Sequence, residues 1–202
     1  GKGNHLFWNR CKKGERLNSK EIPLRARYQK NVLQNLEKAS VISDRSERER
    51  LLNFVIIGGG PTGIELAGAI AELKKFVFRK EYKELDMDEM KIVLLEGLDD
   101  VLNPFSEEAS EKTRKFLRDL GVEIKLETMV EAYDGKNIKV KDGGTIPADT
   151  LIWTAGVKGK IPKGIPEDFI VNGNTVKIDE YCRMKGSDNI FVIGDMAGMV
   201  SD

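Results

Sequence analysis

The sequence predicts an α/β fold: a parallel sheet in which an antiparallel β-meander replaces the last helical crossover. Three stretches carry that prediction. Residues 54–68 run from an apolar segment through a glycine cluster into a helical period, with Leu66, Ile70, Leu73 and Val77 on one face. From 91 to 126 the pattern continues as strand, helix, strand. From 129 to 146 short strand-like runs are separated by Asp134-Gly135 and Asp142-Gly143-Gly144, which are hairpin turns. The class is Rossmann-like, with the meander standing where a helix would cross over.

Taken in order, residues 1–20 are poor in hydrophobics and lack an initiating Met, so the chain is expected to be a piece of a longer protein. His5 is the single histidine, which excludes a His-based triad or a multi-His metal centre within this chain, and no metal site is expected. A helix should follow Pro23, with Tyr28, Val32, Leu36 and Ala39 at helical spacing. Ser40 to Ser46 is a break. A short helix over Glu47–Leu52 is expected next, capped by Asp44 or Ser46, its charged run facing water.

The glycine-flanked strand and helix come next, then a charged segment from Phe76 to Glu89, read as a helix extension or a loop. Lys91 to Leu95 is a second strand. Ser106 is a good N-cap, and Glu107 and Glu108 suit the positive end of a helix running to Leu120, stopped by Gly121. Phe116, Leu117 and Leu120 should form its buried face. Val122–Leu126 is a third strand, and Tyr133 a packing residue of the meander. Thr150–Thr154 is a fourth strand, 158–168 a loop, and Val176–Asp179 a short strand. Asn189–Ile193 reads as a buried strand ending at Gly194-Asp195, with the helix after it missing, again as in an excised segment. Trp153 and Phe191 read as core aromatics.

Bulk numbers narrow the function classes. A chain of 202 residues holds one domain and part of a second. Basic and acidic residues balance at 33 each, which gives no electrostatic case for nucleic acid. The 40% hydrophobic content suits a globular core. No run approaches the roughly 18 apolar residues of a membrane span, and no signal-peptide pattern is present. Cys11 and Cys182 form no CxxC, so free, inert thiols in a reducing compartment are expected.

The chemistry concentrates in Gly58-Gly59-Gly60-Pro61-Thr62-Gly63. Gly58 permits a tight turn out of the strand. Gly60 lets the backbone approach a pyrophosphate. Gly63 lets the helix pack on the strand. The helix start offers N–H groups and a partial positive charge to phosphates, and Pro61 gives up an N–H that the first turn cannot use. Glu96 ends the second strand, where an acid would meet a ribose 2′-hydroxyl, although it comes later than the usual distance of about 20 residues. The alternative is a surface glutamate after a buried strand. As a ribose ligand it would repel a 2′-phosphate, favouring NAD(H) over NADP(H).

With these residues in place, the chain resembles the pyridine nucleotide–disulfide oxidoreductases, flavoproteins with two dinucleotide-binding domains. Within them it is most similar to type II NADH dehydrogenase, the non-proton-pumping NADH:quinone oxidoreductase. The resemblance rests on Val55 to Gly68, on Leu94-Leu95-Glu96, on Ile152 to Val157 and on Phe191 to Ala197. It implies NADH as substrate and FAD as cofactor of the intact protein. Gly58, Gly59, Gly60, Pro61, Thr62 and Gly63 would hold the NADH pyrophosphate and Glu96 the adenosine ribose. Ala155 and Gly156 would lie near the nicotinamide. Glu65 would stand near nicotinamide and flavin as the catalytic residue, ordering the site or moving a proton; its alternative role is an acid complementing the helix dipole. Gly194, Asp195 and Ala197 would contact the flavin side, Asp195 through the ribityl chain; the alternative for Asp195 is a strand-end cap.

The resemblance further implies a division into a helical lead-in over 1–50, an NADH-binding domain over 51–185, and a return strand to the flavin domain over 186–202. It implies a quinone as acceptor, peripheral attachment to the cytoplasmic face of the cell membrane through segments absent here, and a homodimer as one assembly open to it. No CxxxxC redox pair is present. Two rival readings stand beside it: a flavoprotein reductase with another acceptor (ferredoxin, a nitrite-reductase partner or a disulfide), and a non-catalytic NADH-sensing module.

Overall fold

The computed structural model describes residues 24–156, 161–171 and 174–199, with the backbone alone for 24–30. The expectations for residues 1–20, His5, Cys11, Val157 and the side chain of Tyr28 lie outside the described residues. The chain divides into two compact units, Gly1–Ala155 and Gly156–Asp202.

The first unit opens with helices α1 (Leu24–Val41) and α2 (Arg45–Leu52). Asp44, not Ser46, caps α2, its carboxylate accepting from the Glu47 N–H at 2.7 Å. Strand β1 (Asn53–Ile57) is buried along its whole length. Helix α3 (Pro61–Leu73) leads by way of a π-turn, Lys74–Phe78, into a last α-turn, Arg79–Glu81. Strand β2 (Lys91–Leu95), helix α4 (Glu107–Asp119) and strand β3 (Val122–Lys125) follow. The meander is β4 (Val130–Tyr133), β5 (Asn137–Val140) and β6 (Thr145–Pro147), antiparallel throughout. Strand β7 (Thr150–Trp153) completes a parallel sheet of order β3-β2-β1-β7.

The two faces of this sheet explain the meander. Phe54, Ile56, Ile92, Leu94 and Ile152 point to one side, where α1 (Val32, Leu36), α3 (Ala67, Ile70) and α4 (Leu117) cover them. Val55, Ile57, Val93 and Leu95 point to the other, where Val130, Ile138 and Ala148 of the meander cover them. A parallel sheet needs both faces covered. Each such buried aliphatic contributes about 1.5–3 kcal/mol relative to exposure.

Three expectations are corrected here. Val77 is exposed and Phe78 takes its place in the core. The π-turn inserts one residue, so the apolar face advances by one position, which a period of 3.6 cannot foresee. Phe116 is 54% exposed, and α4 meets the core through Leu117, with Leu120 just past its end packed against it. Trp153 is 41% exposed, because alternation along β7 turns it away from buried Ile152.

The second unit is a small sheet, β8 (Ile170–Val171), β9 (Thr175–Ile178) and β10 (Ala197–Met199), in the order β10-β9-β8. Its core is Val176, Ile178, Met184 and Val192. The buried strand expected over 189–193 is not formed. An antiparallel bridge joins Arg183 to Phe191, and the Val192 N–H donates to Cys182 O at 2.9 Å. Val192 is buried, whereas Phe191 and Ile193 are 62% and 78% exposed, so Phe191 is not a core aromatic. Val192 packs into the core of Val176, Ile178 and Met184, whereas its neighbours on either side lie outside that core.

Candidate functional site: the glycine turn and Glu96

The carboxyl ends of β1, β2 and β7 meet at the glycine cluster. Gly58 leaves β1 with φ +110°, and its N–H donates to Leu95 O at 2.8 Å. A Cβ there would lie 2.8 Å from Thr154 Oγ1 and 2.9 Å from Ala155 N. At Gly63 a Cβ would lie 1.9 Å from Gly58 O, so α3 can pass this close to the turn only on a glycine. Gly60 is different: among the described residues nothing stands within 4 Å of its Cβ position. Two of the three motif glycines are required by the protein's own packing. The third leaves room on the outer side of the turn.

Helix α3 begins at that room. Gly60 is its extended N-cap and Pro61 its first residue, and the Ile64 N–H is bonded to Gly60 O at 3.1 Å. The N–H groups of Thr62 and Gly63 precede the intrahelical ladder, where they can serve an anion.

Gly59 is held from both sides. Its N–H donates to Glu96 Oε2 at 2.5 Å, and its carbonyl accepts from the Leu102 N–H at 2.8 Å. The other Glu96 oxygen, Oε1, accepts from the Leu98 N–H at 2.9 Å. The main chain of Glu96 is fixed as well: its N–H donates to Lys125 O at 2.9 Å and its carbonyl accepts from Thr128 N–H at 2.7 Å. Leu102 and Glu127 both adopt positive φ, +52° and +51°. Each donates its N–H to this segment, Leu102 to Gly59 O and Glu127 to Leu98 O at 2.8 Å. Strained residues persist where surrounding bonds over-determine them. Behind the segment, Arg114 of α4 pairs with Asp100.

Thr154 lies in the 152–157 stretch that carries the resemblance, which gives it no role of its own. Its hydroxyl donates to Ile57 O at 2.7 Å, with Gly58 O at 3.3 Å, and so ties the end of β7 to the glycine turn. A hydroxyl residue closing an apolar strand was the available signal. Ala155 follows, partly buried against the meander side of the sheet, its carbonyl accepting from Trp153 Nε1 at 2.7 Å. Glu65 is exposed at the fifth residue of α3. The first turn of that helix holds no acid. The dipole reading of Glu65 therefore loses its basis, since that effect fades beyond the first turn.

The first unit thus gathers Gly58, Gly59, Gly60, Pro61, Thr62, Gly63, Glu96 and Ala155 at one end of one sheet. In the second unit Gly156 is exposed with φ +68°. Gly194, Asp195 and Met196 form a single 3-10 turn, Asp195 is exposed, and Ala197 packs against the Val176 core.

Residues 13–201 match the sequence model of the family described as pyridine nucleotide-disulphide oxidoreductase. The chain belongs to this family. Among curated relatives, it is 36% identical over 174 residues to type II NADH:quinone oxidoreductase NdhA of Mycobacterium tuberculosis, covering 82% of this chain and 37% of that protein. It is also 36% identical over 192 residues to the mitochondrial external alternative NAD(P)H-ubiquinone oxidoreductase B2 of Arabidopsis thaliana, covering 88% of this chain and 32% of that protein. The chain spans about a third of the length of such relatives. In fold it is similar to NDH2 from Plasmodium falciparum, solved in complex with NADH, with a TM-score of 0.72, 24% identity, and coverage of 86% of this chain and 38% of that one.

Proposed function

We propose that this chain is the NADH-binding part of a flavin-dependent, non-proton-pumping NADH:quinone oxidoreductase. The observation that carries the proposal is the paired geometry of the first unit: an open glycine turn at a helix start, with the Glu96 carboxylate bonded to Gly59 beside it. The turn fits a pyrophosphate and the carboxylate fits ribose hydroxyls. The names of the relatives supply the quinone.

In this reading residues 51–185 form the NADH-binding domain, preceded by a helical lead-in and followed by the return of the chain to a flavin domain. The N–H groups at the start of α3 hold the phosphates. Glu96 accepts from the adenosine ribose, and its charge disfavours a 2′-phosphate. Ala155 and Gly156 serve the nicotinamide half. Glu65, exposed on α3, orders the nicotinamide site or holds a proton there. The exposed Asp195 carboxylate, on its turn with Gly194 and Ala197, suits a flavin hydroxyl. FAD, when bound, supplies the acceptor for the hydride and the route of two electrons to a quinone. This chain's part is to orient NADH.

The full protein is further proposed to attach peripherally to the cytoplasmic face of the membrane through other segments, and to dimerise. No described helix is long and apolar enough to cross a membrane. Rapid mixing of the full-length protein under anaerobic conditions tests the proposal. Bleaching of a yellow chromophore by NADH and its recovery on adding a quinone are expected. Tight NADH binding by a colourless protein would overturn it in favour of a sensing module.

A further inference from the structure

We infer that Glu96 is a positioning residue for the phosphate-binding turn as well as a ligand of the ribose, so that it acts on parts of the nucleotide it never touches. The inference rests on the NADH reading above. Both carboxylate oxygens already hold backbone of this chain: Oε2 takes the Gly59 N–H at 2.5 Å and Oε1 the Leu98 N–H at 2.9 Å. Gly59 lies between the two glycines that set the turn. Its carbonyl is held by Leu102, so Glu96 and Leu102 fix the orientation of both its amide groups from the same loop. The packing is close, since a Cβ on Gly59 would lie 3.0 Å from Glu96 Oε2 and 3.1 Å from Val101 Cγ1.

Each carboxylate oxygen has two acceptor sites, so one remains on each for a ribose hydroxyl while the backbone bonds persist. Charge-assisted bonds to backbone N–H are the strong kind. Removing the carboxylate leaves the Gly59 N–H without this acceptor and Gly59 held through its carbonyl alone. An arginine at this position cannot replace it, because guanidinium has no acceptor. Glu96→Arg would therefore lose the turn along with the repulsion of a 2′-phosphate, and the single change would fail to produce an NADPH enzyme.

The test separates direct from indirect action by ligand truncation. In the full-length protein, binding of tetrahydro analogues of NADH and of nicotinamide mononucleotide, neither of which can deliver a hydride, is measured by calorimetry. The mononucleotide lacks the adenosine ribose. Glu96→Ala should weaken both ligands, the mononucleotide by roughly tenfold, the scale of one hydrogen bond to a charged group. Glu96→Gln keeps one acceptor oxygen and should recover part of the mononucleotide affinity. Melting temperatures of all variants are recorded beside the titrations. Loss confined to the dinucleotide, with mononucleotide affinity unchanged in both variants, would overturn the inference while leaving the NADH reading intact. Failure of the unsubstituted protein to bind the NADH analogue would instead overturn the NADH reading. A gain of NADPH binding by Glu96→Arg at unchanged mononucleotide affinity would also overturn the inference.

Discussion

The two ends of the parallel sheet are built from the same strands and do opposite things with polar groups. At the amino end, two of three cross-links join side chain to side chain, and the third runs from a side chain to a carbonyl of the meander. Asn53, 3% exposed, donates to Pro147 O at 2.7 Å; Asn35 donates to Thr150 Oγ1 at 2.8 Å; and Arg50 pairs with Asp149 at 3.1 Å. These bonds tie α1, α2 and the meander to the strand starts. At the carboxyl end, side chains instead grip the backbone. Thr154 and Glu96 hold the carbonyls and the N–H of the glycine turn, and the outer side of Gly60 stays open. A closed end stabilises, whereas an open end whose backbone is held by its neighbours can receive a ligand without first ordering itself.

Substitutions at the two ends should separate stability from binding. The largest effect is expected at Gly63. Gly63→Ala places a methyl 1.9 Å from a backbone oxygen, so both stability and nucleotide binding should fall, with a loss at or beyond the top of the ~1–3 kcal/mol typical of overpacking. Denaturant unfolding and a nucleotide titration check this; a fully stable variant would show that the turn is not packed as described. Next is Gly60→Val, which meets open space. Nucleotide binding should disappear with the melting temperature kept, and retention of binding by calorimetry would break the assignment of this end.

A smaller change is expected at the closed end. Thr150→Val strips Asn35 of its partner and should cost about 1–2 kcal/mol, the price of an unsatisfied donor, with nucleotide affinity unchanged. Altered affinity would show that the two ends are coupled.

The smallest effect is a pH dependence at the meander. Burial, and then the charges of Asp149 and Asp134, push the Tyr133 hydroxyl up to about 12, and it donates to Ala148 O at 3.1 Å. The folded value lies above the unfolded one of about 10. The folded state therefore keeps the proton longer, and this contribution, fully present below pH ~10, is lost as pH rises through ~12. Tyr133→Phe should flatten the stability profile in that window, read by unfolding at stepped pH.

Much of the carboxyl end was legible because its signals are local. The glycine spacing, the apolar run before it and Glu96 after β2 each sit in a few consecutive residues. The meander was legible from its Asp-Gly turns. The amino end was far less so, since Asn35 and Thr150, or Arg50 and Asp149, are about a hundred residues apart and carry no motif. The misplaced side chains share a cause. Val77, Phe116, Trp153 and Phe191 are apolar residues whose exposure depends on which face meets a neighbour, and composition does not report faces.

The sequence by itself determined the order of strands and helices in the first unit, the turn glycines and the acid at the end of β2, because backbone sterics and hydrophobic period act over a few residues. The tertiary structure alone decided what those residues touch. It set Glu96 on Gly59, Thr154 on the end of β1, and Phe78 in the core through one π-turn. Such contacts join segments distant in sequence, and they form only once the sheet has brought the strand ends together.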